Sequence, residues 1–414
     1  MSPRLRQVLL ILGFIVLIAA MGAAIYLVFF KTPQARVPEA IPPAETTREE
    51  TGLPAAGLGA PPGTASPEGT AEIPRAQTLP GAKPVAEGGV TQTQALTSAR
   101  VTAPTLSQDG NGMQYYDKAD GRFYRISTGG DVERISDKKF ANVENVTWNA
   151  KGSSAVLEFP DGSNVVYDFS AGKQVSLPRH WEDFSFAPRG DEILAKSIGI
   201  DPSNRALVIT KTDGSNTRAI AALGDNADKV IPSWSPNDQV IAFSDTGPTL
   251  SGFGRKMIIP IGKNEENFKG LVVEGFDFQP LWNTQGDALV YSAVGDTNGY
   301  RPMLWAVSGR AQSIGDNRKS LGVETWADKC SFTSGTTLYC AVPQRLPANV
   351  GLQRQLSAQS ADAIYRVNVE TGSAELVAIP DTPQSIDHVS VSEDGGNLFF
   401  TNASTGILQI LRLK

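Results

Sequence analysis

The chain is poor in the side chains that usually advertise chemistry. Its 414 residues include two cysteines and two histidines. Structural and catalytic zinc sites draw on several Cys, His or carboxylate ligands at fixed spacing, and no such set is present, so no metal and no cofactor is expected. No Gly-x-Ser-x-Gly elbow occurs, which removes the usual serine-hydrolase arrangement. Basic charge is also lacking. Lys and Arg number 37 against 43 Asp and Glu, a net charge of -6, without a long basic tract, so nucleic acid is not an expected partner. Residues 32–90 hold 11 prolines and no aromatic residue, and such a stretch cannot bury a core.

What precedes that stretch is apolar. Residues 1–7 form a short basic tail with Arg4 and Arg6. Residues 8–30 then run 23 positions without a charge. As a helix they would span about 35 Å, enough for a hydrocarbon core of about 30 Å. The apolar run continues past the small residues around Ala20, which favours a retained transmembrane signal anchor over a cleaved signal peptide. The expected topology is a single-pass membrane protein with a cytoplasmic N-terminus and its bulk in the periplasm or outside the cell. Ala19, Ala20, Ala23 and Ala24 share a helix face that can support weak self-association in lipid. Residues 31–90 read as a disordered Pro/Ala/Gly/Thr-rich linker.

The remainder, 91–414, is a repeat. Trp234-Ser235-Pro236-Asn237-Asp238 leads into the apolar run Val240-Ile241-Ala242-Phe243, a strand, turn and strand. Decayed copies start from Leu106, Trp148, Phe186, Trp282, Phe332 and Val391, at intervals of 42, 38, 48, 48, 50 and 59 residues. Units of this length with several short strands predict an all-β fold, a seven-bladed β-propeller, with six blades as the alternative. The last unit is one strand short, and residues 91–97 supply a spare strand that can pair into it and close the ring. Cys330 and Cys340 flank the sixth turn and face each other across a hairpin. They form a candidate disulfide, or else two buried thiols. The recurring Trp148, Trp234 and Trp282, with Phe186 and Phe332, read as inter-blade filler rather than a sugar-binding track.

The phrase at residues 234–244 resembles the WD40-like (PD40) repeats of TolB-like β-propellers, and Ser107-Gln108-Asp109-Gly110 and Ser392-Glu393-Asp394-Gly395 match its Ser-Pro-Asp-Gly core loosely. The resemblance covers residues 91–414. It implies a binding scaffold of the cell envelope, although the anchor, the linker and the seventh unit depart from the TolB pattern.

Catalytic residues do not stand out. His180 and His388, with Asp183 and Asp387, would need to meet at the channel to share a task, and Glu182/Asp183 and Glu274/Asp277 read equally well as solvated charge. The irregular loops are the better candidates. The insertion 342–361 carries Arg345, Leu346, Leu352, Arg354 and Leu356, and the corresponding connections of the fourth and fifth units add Phe253, Arg255, Tyr300 and Arg301. Arg and Tyr are frequent binding anchors. The expected function is therefore a non-enzymatic interaction or assembly scaffold that holds envelope or membrane proteins on its loop face. The alternatives are a module binding cell-wall glycan or polysaccharide, and a propeller hydrolase or lyase. The last requires His and carboxylate groups converging at the channel mouth with perturbed pKa values.

Overall fold

The structure, a computed structural model, describes residues 79–252 and 254–414. The apolar segment 8–30, its alanine face and residues 31–78 of the linker lie outside the described residues, as does Phe253. Among the described residues no helix is long and apolar enough to cross a membrane.

Seven sheets follow one another along the chain, antiparallel throughout except for one added edge strand. The inner strands are Thr102–Leu106, Asn145–Trp148, Trp181–Phe186, Val230–Pro232, Phe276–Trp282, Cys330–Phe332 and Ile386–Val391. They open blades one to seven. Successive residues of a strand point to opposite faces, so each blade contributes apolar side chains to both neighbours. Val290, for example, packs with Leu338 and Cys340 of the sixth blade. Its neighbours Leu289 and Tyr291 pack with Val240 and Phe243 of the fourth. The buried core is accordingly divided into seven clusters, each shared by two blades. One of them joins Phe399, Leu408 and Ile410 of the last blade to Met113, Tyr115 and Ile126 of the first. That cluster closes the ring.

Closure is completed from the N-terminal side. Gln94–Ala95 pairs antiparallel with Leu408–Arg412 and becomes the fourth strand of the seventh blade. A second pairing has no signature in the repeat. Gly89–Thr91 lies parallel to Ala374–Pro380 and adds a fifth strand to the sixth blade. The chain thus binds two consecutive blades before entering the first.

The anchor aromatics lie between blades, and their polar ends tie blades together. Trp148 Nε1–H donates to the Ala103 carbonyl at 2.8 Å, and Trp282 Nε1–H to the Ser233 hydroxyl at 3.1 Å. The turns that follow the anchors are linked as well. Asn237 donates to the Gly286 carbonyl at 2.7 Å and Asn283 to that of Gly335 at 2.8 Å. Gly286 has φ +71°, and a Cβ there would stand 2.6 Å from the Asn237 backbone nitrogen, so the close approach of these turns requires glycine. Cys330 and Cys340 sit directly opposite, with Cα atoms 4.1 Å apart, and are joined as a disulfide.

Candidate active site at the channel mouth

The inner strands of alternate blades carry β-bulges. In the first, third, fifth and seventh blades the register with the second strand shifts, at Thr102/Thr105, Glu182/Ser185, Phe276/Gln279 and Ile386/Val389. A bulge re-aims the side chains at its extra residue. In three of these blades that residue is left-handed without being glycine: Ala103 (φ 46°), Asp183 (φ 53°) and Asp277 (φ 56°). Such a conformation costs on the order of 1–3 kcal/mol and concentrates at functional positions. In the seventh blade the bulge presents Asp387 and His388.

Two cavities open at these bulges. The first, of about 610 Å³, is walled by the first four blades, with Glu144, Glu158, Asp183, Lys196 and Asp228 on its lining. The second, of about 480 Å³, lies between the seventh and first blades near Asp328 of the sixth, and its charged lining is Arg100, Lys118, Asp328, Asp387 and His388. Both include Thr102 and Ala103, so they are two arms of one mouth.

Glu158 and Lys196 occupy the same place in neighbouring blades. Each lies three residues after the second-strand residue that faces the anchor aromatic, Ala155 opposite Trp148 and Ile193 opposite Phe186. Lys196 is almost fully buried. Its ammonium donates to the Ala227 carbonyl at 3.1 Å and pairs with the Asp183 carboxylate, with Glu182 at 3.9 Å. A buried ammonium is tolerable because these partners replace its water. Glu158 lacks such relief. Burial, and then the negative charges of Asp183, Glu182 and Glu144, push its carboxyl up to about 7. The wall therefore sets a carboxyl that exchanges a proton near neutrality close to a carboxylate held by a cation. A carboxyl whose proton is retained to near neutrality beside an ion-paired acidic side chain is an arrangement in which acid and base roles can be divided.

In the other arm desolvation by burial lowers the His388 imidazole pKa, against the opposing charges of Asp387 and Asp328. Its Nε2 lies 3.0 Å from the Ser390 hydroxyl. Beneath this arm, buried Lys329 pairs with buried Asp362 at 2.6 Å. Asp362 also accepts from the Ile386 N–H at 2.6 Å, immediately before the Asp387–His388 bulge. Among the described residues no group of His, Cys, Asp and Glu is arranged to hold a metal ion.

The residues singled out on the loops are placed elsewhere. The insertion of the sixth blade folds onto the Val294–Arg301 loop of the fifth. There Arg301 donates to the Leu346 carbonyl at 2.8 Å, and the Gly351 N–H to that of Tyr300 at 2.9 Å. Arg354 pairs with Asp328 at 2.8 Å and covers the Trp326 ring at 4.8 Å, so it reaches the mouth only through Asp328. Arg255 is held by Glu274 at 3.4 Å. Arg345 and Leu356 line a separate hollow of about 340 Å³, and Leu352 and Leu356 are exposed. Glu274 also binds Arg318 at 2.7 Å, Asp277 accepts from Gln279, and His180 lines neither arm of the mouth. Sequence reasoning passed over Glu158 and Lys196, although each is a charge ending an apolar strand at the same repeat position.

No protein-family model matches the chain. No curated protein matches it either. Solved structures are similar in fold. An oligogalacturonate lyase in complex with manganese superposes with TM-score 0.55 at 13% identity, covering 78% of this chain and 93% of that one. An oligogalacturonate lyase from Vibrio parahaemolyticus gives 0.53 at 11% identity, with 78% and 93% covered. The Cps50 (Swd1) β-propeller domain from Myceliophteria thermophila gives 0.51 at 12%, with 78% and 100% covered. At these identities the likeness shows the fold alone, a seven-bladed propeller.

These findings correct the expectation of a non-enzymatic, protein-binding scaffold. Two of the similar propellers are lyases, so this ring is compatible with catalysis, and the expectation of no enzyme does not stand. The physical reason lies in the mouth. Groups that read as scattered surface charge are brought together there by blades some 40 residues apart in sequence.

Proposed function

We propose that the channel mouth is an acid–base active site of the hydrolase or lyase kind, acting on a glycan. The observation that carries this reading is the convergence of Glu158 with the buried Lys196–Asp183 pair on one cavity wall. The Trp234–Ser244 phrase supports grouping the ring with WD40-like propellers. That group spans many unrelated functions, so the activity is argued from the mouth.

Substrate charge follows from the lining. Two of the similar propellers are described as acting on oligogalacturonate, a polyanion. Here the first arm sets four carboxyl groups, Glu144, Glu158, Asp183 and Asp228, against the single ammonium of Lys196. Like charges at close range disfavour a polyuronate. The mouth suits an uncharged or amine-bearing glycan, and cleavage of its glycosidic bond by hydrolysis fits the two carboxyl groups better than elimination. Glu158 in its protonated form donates to the departing glycosidic oxygen. Asp183, oriented by Lys196, serves the opposite side of the bond through water or directly.

The test is product analysis with the intact protein on oligomers of neutral hexose, N-acetylhexosamine and hexosamine, with oligogalacturonate for comparison. New reducing ends from an uncharged or amine-bearing oligomer are expected, with no unsaturated product. Cleavage of oligogalacturonate alone, or of nothing, overturns the reading.

A further inference from the structure

We infer that Ala103 is a saddle joining two substrate-binding arms, and that the second arm, beside Asp387 and His388, selects for extended glycan chains. The inference rests on the acid–base reading of the first arm. Its own support is geometric. Thr102 and Ala103 line both cavities, and no other described residue does. One occupant can therefore pass from the Glu158 wall to the Asp387 wall across the first blade.

The saddle residue is unusual among its counterparts. The left-handed bulge residues of the third and fifth blades are aspartates, whose short polar side chains tolerate that conformation. The first blade puts alanine there, at φ 46°, without any side-chain hydrogen bond to compensate. Its backbone is held from outside the mouth, by the Trp148 indole on its carbonyl at 2.8 Å. The conformation is thus maintained where glycine or asparagine would be easier, and the side chain it carries between the arms is a single methyl group. An aspartate at this position would put a charged side chain into the passage and divide it.

The second arm also differs from the first in chemistry. It mixes cations, Arg100 and Lys118, with Asp328, Asp387 and the asymmetric imidazole of His388, and adds Thr401 and Asn402. Alternating donors and acceptors of this kind match the hydroxyl groups of a sugar, each of which both donates and accepts. The first arm holds the reacting bond and the second holds units beyond it. Binding away from the reacting bond then makes long oligomers better substrates than short ones.

The test compares turnover of a dimer and a hexamer of the preferred sugar by the intact protein and by Ala103→Trp. The unsubstituted protein is expected to show a lower KM for the hexamer. In Ala103→Trp the hexamer KM should rise about tenfold or more relative to that of the dimer. Asp387→Asn, an exposed change on the arm wall, should raise the hexamer KM in the same direction and guards against misfolding of the bulkier variant. A hexamer advantage that survives both substitutions, or a loss that falls equally on dimer and hexamer, overturns the inference and leaves the acid–base reading standing. Absence of turnover in the unsubstituted protein overturns that reading itself, and the saddle with it.

Discussion

Glu158→Gln is expected to lower turnover by about 10²–10⁴-fold with little change in substrate affinity, because a positioned general acid contributes that much to proton transfer. The amide keeps the shape and removes the proton. The pH dependence gives the sign. Burial and neighbouring carboxylates raise the Glu158 carboxyl to about 7, so the acid form is present below neutrality and is lost as pH rises. Activity should fall on the alkaline side with an apparent pKa near that value, and Glu182→Gln should shift this limb downward by removing a repelling charge. Stability moves in the same direction with pH. A carboxyl whose folded pKa exceeds its unfolded one contributes stability that is fully present below the unfolded value and is lost as pH rises through the folded one. Glu158→Gln should therefore unfold at higher temperature than the unsubstituted protein at pH 8, when both are followed by circular dichroism. A variant that is inactive and also less stable at pH 8 would point to damage, not to a missing acid.

Lys329→Met should destabilise the ring by about 3–5 kcal/mol, the cost of leaving one member of a buried ion pair uncompensated. Lys329 and Asp362 are both almost wholly enclosed, and one oxygen of Asp362 has no hydrogen-bond partner. Burial already raises the Asp362 carboxyl, and Lys329 opposes that rise, so the single variant should take up a proton and recover part of its stability in acid. Replacing both partners, Lys329→Met with Asp362→Leu, should restore much of the loss in a urea titration, since apolar packing replaces a buried pair at little cost. The double variant still loses the acceptor for the Ile386 N–H. It should therefore fold while keeping an altered Asp387–His388 bulge, and its preference for long oligomers should weaken more than its turnover of short ones.

The ring was legible because its signal is repeated. One strand–turn–strand phrase, recurring seven times, fixes blade number, and the spare strand 91–97 accounts for closure through Gln94–Ala95. The inter-blade role of Trp148 and Trp282 followed from recurrence too. The mouth was not legible, for two reasons. A bulge adds one residue without disturbing the local composition, so Trp181-Glu182-Asp183-Phe184-Ser185-Phe186 reads as an ordinary strand while its register with Glu192–Ser197 is broken. Burial of a charge also depends on the neighbouring blade. Lys196 looks like a solvated end of strand until the carbonyl of Ala227 and the Asp183 carboxylate are brought to it. The insertion 342–361 was visible as an irregularity; its Leu346 carbonyl is bound by Arg301 of the neighbouring connection and its Arg354 pairs with Asp328, while Arg345 lies exposed on a separate hollow.

The central claim is that the mouth holds Glu158 as an acid available at neutral pH. It is tested most directly by following the side-chain carboxyl carbon of Glu158 by NMR through a pH titration of the folded protein, assigned by comparison with Glu158→Gln. The account expects a midpoint near 7 that moves down in Glu182→Gln and in Asp183→Asn. A midpoint near the ordinary glutamate value of about 4.3, unmoved by either substitution, would contradict it.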